Sequence, residues 1–323
     1  MRYALPGLLL IATAFFGLLA VSGSGEGRET GAVVRADSAA KVELGRRLFY
    51  DADLSINGTM SCATCHEQHH AFADGNRMHP GALGDPGRRN VPGLQNLASL
   101  SPLTWADPRQ TTLEKQAAVP ILGEHPVEMA MTGHEAEIPK RLGRDPCYRT
   151  MYRKAFPRGG GRIDYDNTVS AIAAFERTLV SRSSPWDRFA AGQADGLSAE
   201  ARRGLEVFKR SCASCHAGKD FTDAKFHRIG AAGGDAGLAE VTASREDFGK
   251  FRTPSLRNVG VTAPYLHDGS APTLADAIRV HDGISVSEPD LDALLAFLGS
   301  LTDHAFLTDP RLSLPMEACG KPL

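Results

Sequence analysis

Four stretches of the chain pattern as helices, and turn-forming residues separate them. The longest, Tyr165 to Val180, places Val169, Ile172, Ala173, Phe175 and Leu179 at helical spacing. Ser183-Ser184-Pro185-Trp186 breaks that pattern, and Leu197-Ser198-Ala199-Glu200 then reads as a helix start with Ser198 as cap. Two shorter amphipathic segments, Glu43 to Phe49 and Arg202 to Phe208, both end in Phe. The fourth, Pro272 to Val280, is capped by Thr273 with Asp276 in a capping-box position, and Gly283 supplies the turn that ends it. A different pattern opens the chain, where Arg2 precedes an apolar run from Ala4 to Val21 and the small residues Ser22 to Gly25 follow. This reads as a cleaved secretory signal over residues 1–25. An uncleaved anchor is the competing reading, since about 18 apolar residues approach spanning length.

The two Phe-ended helices introduce the same pentapeptide. Cys62-Ala63-Thr64-Cys65-His66 follows the first, and Cys212-Ala213-Ser214-Cys215-His216 the second, 150 residues later. Each is followed by an aromatic step, Phe72-Ala73-Asp74 and Phe221-Thr222-Asp223. The C-x-x-C-H run is the attachment signature of a c-type haem, in which both thiols bond to the porphyrin and the histidine becomes an axial iron ligand. A zinc site would need its four ligands brought together, and redox thiols need no following histidine. One module has therefore been used twice, for two covalently attached haems. The first copy is longer, with Asp51 to Ser61 inserted before its motif and a Gly/Pro-rich stretch, Asp74 to Pro92, after it. The division falls near Gly192, giving a domain over residues 38–192 and another over 193–323.

Composition narrows the class further. The 323 residues leave roughly 290 after signal removal, enough for two domains with a core each. A net charge of -2 with interspersed signs gives no argument for nucleic-acid binding or a charged tail. Gly 33 and Pro 19 fall largely between the helices, as expected of a mainly α protein whose long loops wrap a cofactor. With a cleaved signal the mature chain is periplasmic, with no stable membrane insertion. Cys147 and Cys319 remain after haem attachment, and in an oxidising compartment they point to one disulfide, with two separate buried thiols as the alternative.

The second axial position of each iron decides what that haem does. None of the seven methionines lies between His216 and Pro315, so a His/Met second haem would need Met316 to reach back. The local candidate is His281, just past the helix capped by Thr273.

The segments Arg252-Thr253-Pro254-Ser255-Leu256-Arg257-Asn258-Val259 and Thr262-Ala263-Pro264-Tyr265-Leu266-His267-Asp268-Gly269 resemble, in this order, the bacterial di-haem cytochrome c peroxidase and MauG superfamily. The resemblance runs from about Val42 to Thr302 and includes both haem motifs and Arg89-Asn90. It implies two cytochrome c-like domains, with the haem of His66 meeting hydrogen peroxide and that of His216 storing or relaying electrons. His281 stands where the peroxidases have methionine and MauG tyrosine. Trp105 matches the tryptophan that couples the haems; Trp186 is the other tryptophan. Gln116 and Glu128 match distal-pocket elements, Glu128 as the carboxylate that moves a proton between the peroxide oxygens. Their spacing departs slightly from the peroxidases, which leaves Glu124 as a rival. His69, His70 and His79 are candidates for the peroxidases' departing distal histidine, but none aligns, so the first haem is expected to be open as in MauG. Asn90, Thr262 and Pro264 match a calcium site between the haems. The implied activity is peroxide-driven formation of high-valent haem iron that oxidises a residue of a partner protein, as family members do to tryptophan. The alternatives are peroxide reduction with electrons from a cytochrome c or cupredoxin, and a non-catalytic di-haem carrier.

Overall fold

The computed structural model describes Met1 and residues 37–230 and 233–323. The signal segment read over residues 1–25 lies, apart from Met1, outside the described residues. Asp37 to Leu323 form one compact unit. Its α-helices are α1 (Ala39–Phe49), α2 (Cys62–Cys65), α3 (Leu113–Leu122), α4 (Glu137–Leu142), α5 (Pro146–Ala155), α6 (Tyr165–Glu176), α7 (Pro185–Ala190), α8 (Ala199–Ser211), α9 (Ala239–Thr242), α10 (Leu274–Arg279), α11 (Glu288–Gly299) and α12 (His304–Thr308). The described strands are two short antiparallel pairs, Phe226–His227 with Phe251–Arg252 and Glu317–Ala318 with Lys321–Pro322. The chain is thus mainly helical, and among the described residues no helix is long and apolar enough to cross a membrane.

Local capping explains where the helices begin. Ser198 accepts the Ala201 amide at 3.0 Å to start α8, and Thr273 accepts the Asp276 amide at 3.1 Å to start α10. α6 stops at Glu176, short of the expected Val180, because the backbone beyond it is used elsewhere. The Leu179 carbonyl accepts the Asn96 amide, and the Ser181 amide donates to Asn96 Oδ1. Ser183 to Trp186 ends one helix but starts another: Ser184 and Asp187 form a capping box, and Pro185 occupies the first turn of α7.

The duplication seen in sequence is a duplication of packing. α1 crosses α6 at Gly45, where a Cβ would lie 1.8 Å from the Ala171 carbonyl oxygen. α8 crosses α11 at Gly204, where a Cβ would lie 1.8 Å from that of Ala293. Phe49 meets Phe175 at 5.3 Å between ring centroids, and Phe208 meets Phe297 at 5.1 Å. Each crossing anchors its own buried hydrophobic cluster. Because backbone contact sets both crossings, Gly204→Ala must separate the helices. It is expected to destabilise the fold by at least about 1–3 kcal/mol in chemical denaturation. Gly299→Ala, on α11 but facing open space, is the control expected to leave stability unchanged or raised.

A polar seam joins the repeats. Asp303 Oδ2 accepts from Ser181 Oγ and from the Arg182 and Ser183 amides at 2.8–3.2 Å, while Asn258 Nδ2 donates to Ser181 Oγ at 3.0 Å. The C-terminal tail returns to the first cluster. Phe306 and Leu312 are buried there, Tyr50 OH donates to the Leu312 carbonyl at 2.8 Å, and Cys319 is disulfide-bonded to Cys147.

Candidate functional site

The first C-x-x-C-H motif is a single helical turn, α2, started by Ser61, whose amide donates to Thr64 Oγ1 at 2.9 Å. His66 leaves that turn with its Nδ1 2.6 Å from the Phe72 carbonyl oxygen. The second motif repeats the device, with His216 Nδ1 3.1 Å from the Phe221 carbonyl oxygen. Phe72 and Phe221 both hold left-handed backbone, φ +61° and +52°, an uncommon conformation for a bulky residue that here turns the carbonyl toward the imidazole. Burial pushes both histidines down to about 4, so each ring is neutral, donates through Nδ1 and keeps Nε2 as a lone-pair donor.

The thiols behave accordingly. Burial pushes Cys65 up to about 12 and Cys212 up to about 11, and Cys62 rises in the same direction. Redox thiols and zinc thiolates are favoured by the opposite shift.

Around the second motif lies a cavity of about 370 Å³ that brings together most of the residues singled out in sequence. Cys212, Cys215, His216, His281, Trp105, Asn90, Thr262 and Pro264 all line it. His281 stands just beyond α10 with Nδ1 2.7 Å from the Ala277 carbonyl oxygen, so its Nε2 too is left for a ligand role. The His281 imidazole also helps hold His216 neutral. Met316 is 80% exposed. Trp105 donates through Nε1 to the Asn90 carbonyl at 2.8 Å, and its own carbonyl accepts the Arg252 amide at 2.8 Å. Asn90 is buried; its Nδ2 donates to the Asn76 and Arg77 carbonyls, and its Oδ1 is an oxygen that could serve a hard cation.

Arg252 is a residue whose role the sequence reading missed. The residue is 3% exposed, burial lowers its guanidinium to about 10, and among the described residues its bonds go to the Thr104, Thr253 and Leu103 carbonyls rather than to a carboxylate. A buried cation without an acid partner is costly, and at the wall of this cavity it fits an anionic haem propionate. The residues present therefore fit the group that the motif implies.

On the first motif's side, Glu128 lies close enough for its charge to act on both Cys62 and Cys65. Burial raises its carboxyl above the usual range, and His79 opposes that shift. The Gly/Pro-rich stretch after the motif is the clamp: the Ala82 amide donates to the Glu128 carbonyl at 2.7 Å, and Gly81 packs on the Val127 carbonyl. His79 is tied through Nδ1 to the fully buried Asp74 at 2.7 Å. Glu124 is exposed. Gln116 is half-buried on α3, and among the described residues no hydrogen bond joins it to either group. Glu176, unremarked in sequence, ends α6 fully buried with Oε2 unpaired, and burial pushes it up to about 8. A lone acid at the end of an apolar helix face was its only signal.

Known proteins resemble this chain over most of its length. The family model "Di-haem cytochrome c peroxidase" matches residues 39–195. The methylamine utilization protein MauG of Methylophilus methylotrophus is 37% identical over 257 residues, covering 78% of this chain and 75% of that protein. The cytochrome c551 peroxidase of Pseudomonas aeruginosa is 34% identical over 288 residues, covering 85% and 81%. Among solved structures, a MauG-like protein associated with microbial copper homeostasis matches with a TM-score of 0.82 at 34% identity, covering 87% of this chain and 94% of that one. Duplicated C-x-x-C-H turns, each with its histidine held by a backbone carbonyl, and relatives aligned over most of both chains place the protein in the di-haem cytochrome c peroxidase and MauG family, haem-dependent enzymes that act on hydrogen peroxide.

Proposed function

We propose that the chain is a periplasmic oxidase of the MauG-like kind, with two cytochrome c-like halves, residues 38–192 and 193–323, each wrapping one covalently bound haem. When bound, the haems supply the redox chemistry, one meeting peroxide and the other holding an oxidising equivalent. The observation that carries the reading is His281, an imidazole that lines the same cavity as His216 and stands where the family resemblance implies a methionine in the peroxidases. An imidazole lowers the potential relative to methionine and so favours retaining an oxidising equivalent over accepting electrons from a small donor.

Glu128 does the proton work in this reading. As carboxylate it takes the proton from the near oxygen of peroxide and returns it to the departing one, with Gln116 as a weaker hydrogen-bonding contributor. Hydrogen peroxide takes two electrons and two protons and leaves as two waters, the electrons coming from a residue of a partner protein, tryptophan being the class that the family resemblance implies. Trp105 lies between the halves, and Asn90, Thr262 and Pro264 offer the oxygen set for a calcium ion that fixes them.

Trp105→Phe is expected to slow partner oxidation on the order of tenfold, a barrier change of about 1.4 kcal/mol, with both haems still attached. Stopped-flow comparison of peroxide consumption and product formation reads this. A second reading, peroxide detoxification with a reduced cytochrome c or cupredoxin, is favoured by the similar identity to MauG and peroxidase relatives. The two part on donor turnover. The oxidase reading expects slow turnover with either donor, and rapid turnover would overturn it.

A further inference from the structure

Directly after the first haem motif, Glu67, His69 and His70 bring three ligand atoms within 4.8 Å of one another. We propose that they form a binding site for a divalent transition-metal ion, separate from both haems and from the calcium set. Two imidazole nitrogens and one carboxylate oxygen are the donor set of an open zinc or copper site, with the remaining positions left to water.

The site is built rather than accidental. His70 Nδ1 is buried and, among the described residues, has no hydrogen-bond partner, although the Glu67 carboxylate stands 3.8 Å from it. An unpaired buried nitrogen costs free energy that a bound cation would recover. Gly75 closes one side of the ring, packing on it so closely that a Cβ there would lie 2.5 Å from Cε1. His69 Nε2 lies 3.0 Å from the same Glu67 carboxylate, and the two imidazole centroids are 4.2 Å apart.

A tight turn holds all three. The His70 and Phe72 amides both donate to the Glu67 carbonyl, the Glu67 amide donates to the Ala73 carbonyl, and Ala71 takes left-handed backbone at φ +54°. His69 is the exposed member and gives an ion its route in. Imidazole donors exclude magnesium and calcium as tight occupants, and the general affinity order places Cu²⁺ above Zn²⁺. The same turn presents the Phe72 carbonyl to His66, so a bound ion would brace the segment that orients the first haem's histidine.

The test uses the haem-loaded protein with calcium saturating its own site. Zn²⁺ titrated calorimetrically is expected to bind at one equivalent in the wild type and at least tenfold more weakly in His69→Ala and in His70→Ala, with haem absorbance unchanged. His69→Ala removes an exposed side chain, so it keeps the test valid if His70→Ala disturbs the turn. Cu²⁺ at one equivalent is expected to give an electron paramagnetic resonance signal split by two nitrogens in the wild type and by one in His69→Ala. Equal Zn²⁺ affinity in wild type and variants, or a copper signal without nitrogen splitting, would overturn the proposal.

Discussion

Replacing Glu128 by Gln is expected to slow the reaction with hydrogen peroxide by about 10²–10⁴-fold while leaving both haems attached and the fold intact. Glutamine keeps the size and the hydrogen bonding of the side chain but cannot accept and return a proton. Rapid mixing with stoichiometric peroxide measures the effect. The pH profile carries the sign: the working form is the carboxylate, and burial raises its pKa, so the wild-type rate should climb with pH through a midpoint above the ordinary 4.5 of a glutamate. His79, the charge that opposes this shift, keeps the midpoint from rising further. The variant should lose that dependence. Glu124→Gln alters an exposed side chain and should change neither rate nor profile. Equal losses in the two variants would remove Glu128 from its assigned role.

His281→Met should raise the potential of the second haem by on the order of 100 mV, a fraction of the roughly 0.8 V span that axial ligands set. The argument rests on ligand basicity. The Ala277 carbonyl accepts from His281 Nδ1 at 2.7 Å, which makes Nε2 a stronger donor than a free imidazole, and a strong donor favours the oxidised metal. A thioether in its place favours the reduced metal. The substituted protein should therefore accept electrons from a reduced cytochrome c more readily, and its oxidation of a partner should weaken. Potentiometric titration followed by absorbance gives the shift. An unchanged potential would mean that His281 does not bind iron.

What the sequence made legible was local or covalent. The C-x-x-C-H motifs, the Ser198 and Thr273 caps and the helix before each motif each depend on residues a few positions apart. The repeat was visible for the same reason, since both copies keep a Phe before the motif and a Phe after it, although α8 runs on past Phe208 to Ser211. The meaning of that second Phe was not visible, because its contribution is a backbone carbonyl turned by left-handed geometry toward His66 or His216. Nor were Gly45 and Gly204 readable, since a glycine inside an amphipathic helix reads as a mild penalty until the crossing helix is in place.

Long-range contacts hid the rest. The stretch Asp74 to Pro92 reads as loop, yet Ala82 and Gly81 hold the Glu128 turn. Arg252 stands inside a motif already singled out, but only burial without an acid partner marks it as an anion site. The tail beyond His304 belongs by sequence to the second half, and its Phe306 and Leu312 pack into the first cluster. The choice between Glu124 and Glu128, open in the spacing, becomes a difference between an exposed carboxyl and a half-buried one whose pKa burial raises.

The central claim is that two nearly identical haem cradles serve unequal irons, one with a free face beside Glu128 and one closed by His281. Electron paramagnetic resonance of the fully oxidised, haem-loaded protein tests it most directly. One high-spin and one low-spin signal in equal amounts, with the high-spin signal lost on adding stoichiometric peroxide, is the predicted result. Two low-spin signals that do not respond to peroxide would contradict it.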